Sequence, residues 1–110
     1  MNELKALQIT ATSSYFVQLT DYFEDEKNIY MVRKYFSKTL KSVVAKMADP
    51  LLPEPLVQNF IAQTAKALSK LHQRNIVHRD LRMEALKIRS KKKLVLQLGS
   101  FDFAYCLKKN

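Results

Sequence analysis

The chain has 110 residues, 47% hydrophobic and 26% charged, which fits one small soluble domain with a single modest core. Nineteen Lys and Arg against ten Asp and Glu leave a net charge of +9, a balance that can draw nucleic acid, anionic lipid or an acidic protein surface. The one cysteine, Cys106, excludes an intramolecular disulfide, and no apolar run near Met1 supplies a secretory signal. Nothing approaches the roughly 18 apolar residues needed to cross a bilayer, because Lys66, Lys70 and Arg74 interrupt the most hydrophobic helical segment. The expectation is a cytoplasmic protein, with the nucleus as the alternative, and no membrane contact.

In chain order, residues 3–10 are predicted as a short helix, with Leu4, Leu7 and Ile9 near helical spacing. Residues 16–23 and 29–32, rich in aromatic and β-branched side chains, flank the acidic turn at residues 24–28 and predict a β-hairpin. Residues 39–47 predict a second helix with Leu40, Val43, Val44 and Met47 on one side, stopping at Asp49-Pro50 because a residue before proline avoids helical geometry. Residues 54–73 form the clearest element. Val57, Phe60, Ile61, Thr64, Ala65, Leu68 and Leu71 make a helical stripe behind Pro53 and Pro55. After Ile76-Val77 comes a polar loop at residues 78–84, then two short strands, 86–88 and 94–98, joined by a basic turn. The run Lys87, Arg89, Lys91, Lys92 and Lys93 lacks the aromatic interleaving of an RNA-binding surface and reads as a solvated turn, so nucleic acid is not an expected partner.

The loop reads His78-Arg79-Asp80-Leu81-Arg82-Met83-Glu84-Ala85 and is followed by Gly99-Ser100-Phe101-Asp102-Phe103-Ala104. Set behind a long helix and Leu71-His72-Gln73-Arg74-Asn75-Ile76-Val77, this order resembles the protein kinase family, whose catalytic loop carries H-R-D-L-x-x-x-N. The resemblance extends upstream, where Asn28-Ile29-Tyr30-Met31-Val32 is similar to the last N-lobe strand and Asn2-Glu3-Leu4-Lys5-Ala6-Leu7 to the end of the regulatory helix. It implies an α+β class and a partial kinase fold: the end of the regulatory helix, an N-lobe hairpin, two C-lobe helices, the catalytic loop and a short hairpin. It also implies a single truncated domain over residues 1–110, with 1–35 as an N-lobe remnant and 36–110 as the first part of the C-lobe. On that reading the Gly-rich loop, the strand lysine, most of the activation segment and the later C-lobe helices fall outside the chain.

Under the resemblance, Asp80 matches the catalytic base, Arg82 a basic residue that assists transfer, and Glu84 fits the pattern beside the missing asparagine. The two metal-binding positions hold Ala85 and Ser100 instead of Asn and Asp, and magnesium prefers hard, usually charged oxygens. Asp102 stands at the usual glycine position and reads as a solvated acid. Glu3 matches the acidic partner of the strand lysine and, that partner being absent, reads as a solvated helix residue. Arg33 falls at the gatekeeper, Lys34 on the hinge and Lys87 on the floor of the nucleotide pocket, where cations give a neutral adenine ring no partner. Leu7, Leu19, His78 and Phe101 match the hydrophobic spine that links the two kinase lobes.

These substitutions predict a pseudokinase-like protein without phosphoryl transfer, binding no cofactor and acting as a protein-binding or scaffolding module. An exposed apolar helix stripe and open strand edges would serve a protein partner or self-association. The alternative is a residual serine/threonine kinase using ATP and magnesium, and a third reading is a basic nucleic-acid-binding module.

Overall fold

The computed structural model describes residues 2–47, 52–90 and 94–107. The chain begins with helix α1 (Asn2–Ile9), which buries Ala6 and Leu7. The expected stripe is thereby rotated: Ile9 is exposed, and Thr10, just past the helix, takes the buried place one turn after Ala6. Its hydroxyl satisfies itself by donating to the Ala6 carbonyl at 3.0 Å.

Strand β1 is Leu19–Glu24 and β2 is Ile29–Arg33, paired antiparallel from Leu19↔Arg33 to Glu24↔Ile29 with a bulge between Leu19 and Asp21. The hairpin starts three residues later than the sequence predicts. Phe16 instead bridges Leu98 in parallel, and Val17 N–H donates to the Leu98 carbonyl at 2.9 Å. The reason is burial, since Phe16 is 0% exposed against the Phe101 ring, whereas a place in the hairpin would leave much of its large apolar surface in water. Every β1 residue after Leu19 is exposed. The radius of gyration is 15.0 Å, above the about 13 Å of a compact chain of this length, consistent with the hairpin standing off the body.

Helix α2 (Leu40–Ala45) is opened by Thr39. The Thr39 hydroxyl accepts from Ser42 N–H at 3.2 Å, and Ser42 Oγ accepts from Thr39 N–H at 2.9 Å, a reciprocal cap that satisfies two otherwise orphaned donors. The helix ends at Ala45, with Met47 outside it, and the expected stop at Asp49-Pro50 lies outside the described residues.

Helix α3 (Glu54–Gln73) has the predicted bounds, with Pro55 in the first turn where its missing N–H costs nothing. Its buried face is Phe60, Ala67 and Leu71, while Ile61 and Ala65, both in the predicted stripe, are exposed. Gln63 contributes to this rotation. Its side chain accepts from Leu96 N–H at 2.7 Å and donates to the Leu94 carbonyl at 2.9 Å, so the Gln63 side of the helix must face the second hairpin.

Short strand β3 (Ile76–Val77) follows, then the 3-10 turn Met83–Ala85, β4 (Leu86–Ser90) and β5 (Val95–Leu98). β4 and β5 pair antiparallel from Leu86↔Leu98 to Ser90↔Val95, with a bulge between Ile88 and Ser90. Leu94, expected as the first strand residue, has φ 49° and belongs to the turn; residues 91–93 of the basic run lie outside the described residues. A second 3-10 turn, Phe101–Phe103, leads to β6 (Tyr105–Cys106), which pairs antiparallel with β3. The architecture is the expected α+β arrangement of few helices and short antiparallel strands. Among the described residues no helix is long and apolar enough to cross a membrane.

Candidate functional site

The four residues matched to the hydrophobic spine all reach the core, though to different depths. Leu7, His78 and Phe101 are buried, and Leu19 is half-buried against the same cluster. The His78 and Phe101 rings lie 5.5 Å apart in a tilted arrangement, and Phe16 packs on the other ring contact at 6.1 Å. Phe16 carries no sign of this role in the sequence; only its aromatic character hinted at a strand.

His78 holds the loop by two hydrogen bonds that determine its tautomer. Nε2 donates to the Gly99 carbonyl at 2.7 Å, and Nδ1 accepts from Asp80 N–H at 3.2 Å, so the ring is neutral with its proton on Nε2. Arg79 has φ 67° and turns out of the core. Its guanidinium donates to the Phe103 carbonyl at 2.6 Å and lies 5.2 Å above the Tyr105 ring, which ties the loop to the segment after Phe101.

Asp80, Arg82 and Glu84 are brought together as a surface ion-pair chain. Arg82 Nε is 3.4 Å from Asp80 Oδ1 and 3.6 Å from Glu84 Oε2, and Glu84 Oε1 meets Lys41 Nζ of α2 at 2.8 Å. Hydrogen bonding to Lys41, foremost, holds the Glu84 carboxyl below the usual carboxylate range. The Asp80 carboxylate that the resemblance casts as a base is thus shared with Arg82.

Arg33, Lys34, Lys87, Ser100 and Asp102, scattered through the sequence, line one cavity of about 480 Å³ together with Val17, Met31, Tyr35 and Phe36. None of Asp80, Arg82 and Glu84 lines it. Lys87 comes from β4, its ammonium donating to the Glu84 carbonyl at 2.7 Å. Burial, and next the nearby Arg33 guanidinium, hold the Lys87 ammonium below its usual pKa, with Asp102 and Glu84 opposing. Ser100 enters in the left-handed conformation, φ 59° and ψ 56°, which turns the chain so that Phe101 is buried.

One sequence expectation is corrected here. Glu3 is not a solvated helix residue: its side chain is 21% exposed and Oε1 lies 4.0 Å from Arg33 Nη1. Burial, foremost, and the Asp102 charge push its carboxyl above the usual range, against the pull of Arg33. The cation opposite Glu3 is therefore the one at the end of β2. Asp102 is exposed, in keeping with its reading as a solvated acid, and it also lines the cavity, where its charge acts on both Glu3 and Lys87. Neither pairing has a sequence signal, since Glu3 and Arg33 are 30 positions apart and no periodicity relates them.

The residues present do not fit a magnesium ion at the positions that the resemblance gives to it. Ala85 is a fully buried methyl, Ser100 offers one neutral hydroxyl, and Arg33, Lys34 and Lys87 set a positive field around Asp102, the single carboxylate lining the cavity. Among the described residues no group of three or more His, Cys, Asp or Glu is placed to hold a metal.

Comparison with known proteins gives a consistent result. Residues 1–110 match the family model of the protein kinase domain. The chain is 35% identical over 88 residues, 80% of its length, to serine/threonine-protein kinase PLK2 of Mus musculus. It is 34% identical over 104 residues, 94% of its length, to cyclin-dependent kinase-like 5 of Homo sapiens. It is 36% identical over 90 residues, 82% of its length, to serine/threonine-protein kinase ULK3 of Homo sapiens. The matched regions cover 12%, 10% and 19% of those three relatives.

Proposed function

Because the chain belongs to the protein kinase family, we propose that it is a pseudokinase-like module that keeps the catalytic-loop frame without phosphoryl transfer and works by binding another protein. One observation carries this reading: the cavity is walled by Arg33, Lys34 and Lys87, while Ala85 and Ser100 stand where the family holds its metal. Phosphoryl transfer depends on positioning and on neutralising charge, and removing a single preorganised electrostatic group costs roughly 100- to 1000-fold in rate. Here Asp80 remains, paired with Arg82 at 3.4 Å.

Binding is supported by apolar surface left open on two elements. Tyr22, Phe23, Ile29, Tyr30 and Val32 are exposed on the first hairpin, and Ile61 on α3 borders an apolar groove with Leu40, Phe60, Leu68 and Leu86. A thermal-shift titration with ATP, with and without magnesium, beside a transfer assay and a light-scattering mass, tests both parts. The reading expects no magnesium-dependent shift, no transfer, and association beyond the monomer or with a protein partner. Magnesium-dependent stabilisation or transfer sinks the first part, and stable monomers that unfold sharply at low micromolar concentration count against the second.

The retained Asp80 carboxylate favours one other reading, a residual serine/threonine kinase whose metal site is completed by residues outside this chain. The same transfer assay on a longer protein containing a Gly-rich loop and a strand lysine decides it.

A further inference from the structure

We infer that the cavity between Arg33 and Lys87 is a metal-free site for a small organic anion, a carboxylate or phosphate carried on a flat apolar body. This rests on the reading above that the cavity does not serve metal-dependent transfer. The volume of about 480 Å³ falls within the roughly 300–1,000 Å³ of small-molecule sites.

Its walls are of two kinds. Val17, Met31 and Phe36 offer apolar surface for a ring, while Arg33, Lys34 and Lys87 supply three cations against the single carboxylate of Asp102. The cations keep hydrogen-bonding capacity. Lys87 Nζ donates to the Glu84 carbonyl, one of three N–H bonds, and the 4.0 Å separation of Arg33 from Glu3 is too long for a hydrogen bond. Lys34 Nζ rests 5.7 Å over the Phe36 ring, an attraction that an incoming anion need not break.

Charge decides the ligand class. Arg33 and Lys87 repel one another across this space, and burial makes the Lys87 charge costly. An anion between them offsets both penalties, and the planar guanidinium suits a carboxylate or phosphate. A divalent cation meets the same field with the opposite sign, and a neutral ring adds nothing to the partial compensation that Glu3 gives Arg33 and that Asp102 and Glu84 give Lys87. Lys34 also lines a second cavity of about 330 Å³ with Arg89, so positive charge extends beyond the first cavity on the Lys34 side.

The test is a calorimetric titration of the full chain with phenyl phosphate in EDTA, beside inorganic phosphate and benzyl alcohol, with methyl NMR of Val17 and Met31. Phenyl phosphate is expected to bind at least tenfold tighter than inorganic phosphate, benzyl alcohol not detectably, and both methyl-bearing residues to shift. Arg33→Met and Lys87→Met should each weaken phenyl phosphate at least tenfold. Equal binding of benzyl alcohol, stationary Val17 and Met31 signals in the wild-type chain, or binding that appears only with magnesium overturns the inference. So does unchanged affinity in both folded variants. The NMR arm needs no variant and stands if either substitution fails to fold. Phosphoryl transfer from magnesium ATP, assayed separately, would overturn the non-catalytic reading without altering the outcome of the EDTA titration.

Discussion

His78 donates from Nε2 to the Gly99 carbonyl at 2.7 Å, joining the catalytic-loop motif to the turn that buries Phe101. The contact uses the histidine as a neutral bracket whose other nitrogen receives Asp80 N–H. Gly99 is needed on the other side of this bracket, because a Cβ there would lie 2.8 Å from Val17 Cγ2.

Gly99→Ala should therefore destabilise the chain by about 1–3 kcal/mol, the usual cost of forcing a methyl into a filled core. Val17→Ala in the same background should recover part of the loss. Denaturant unfolding of the two single variants and the double variant measures the coupling, and strict additivity would show that the Val17 contact is not the cause.

Phe101 is fully buried between the Phe16 and His78 rings. Phe101→Ala should cost about 3–5 kcal/mol, as deletion of a buried aromatic usually does. A loss of that size is comparable to the whole stability of a small domain. The expected readout is loss of the cooperative thermal transition, whereas a transition moved by only a degree or two would contradict the packing.

Thr39 caps α2 reciprocally with Ser42. Thr39→Ala should cost about 1 kcal/mol and Thr39→Asp much less, because either oxygen side chain can accept from the helix N–H groups. Urea midpoints at a common m-value check the order, which fails if Ala and Asp behave alike.

Lys87 loses proton affinity on folding, chiefly through burial and then through Arg33. Its folded pKa lies below the usual 10.5, so between the two values the unfolded chain binds the extra proton. Stability should accordingly rise with pH through that window. Lys87→Met, which keeps the stem, should raise Tm at pH 7 and lose that advantage as the wild-type chain approaches pH 10.5. A fall in Tm at neutral pH would mean that the bond to the Glu84 carbonyl outweighs the burial.

Asp25 in the first hairpin turn accepts from Lys27 N–H at 2.8 Å, Asn28 N–H at 2.7 Å and Tyr30 Oη at 3.0 Å. These bonds, the Lys27 N–H first, hold its carboxyl below the usual 3.8. Here the sign is reversed: the stabilisation is present above the unfolded pKa and is lost as pH falls through the lower folded one. Amide exchange in residues 19–33 should speed up in that acid window while α3 stays protected. Asp25→Asn should show the faster exchange at neutral pH as well.

How much could be read in advance varied from element to element, for reasons of range. Helix α3 was legible to the residue, because Pro53, Pro55 and a long apolar stripe act within a few turns of one another. Its rotation was not, since Ile61 and Ala65 are as apolar as their neighbours, and the face is chosen by long-range partners: the core around Phe60, Ala67 and Leu71 and the bonds from Gln63 to Leu94 and Leu96. Its aromatic character points Phe16 to the hairpin, whereas its actual place beside Leu98 depends on a partner 82 positions away.

The sequence alone determined the family frame and the residue types that stand at its motif positions. His78-Arg79-Asp80, Ala85 and Ser100 are matters of identity at fixed local spacing, and no folding changes them. Tertiary structure alone decided what surrounds those positions. It set Arg33 against Glu3, brought Lys87 and Asp102 into one cavity with Arg33, and shared Asp80 with Arg82 beside Lys41 and Glu84. Charges act through space and not along the chain, so a cavity assembled from β2, β4 and the turn after β5 has no counterpart in any local run of residues.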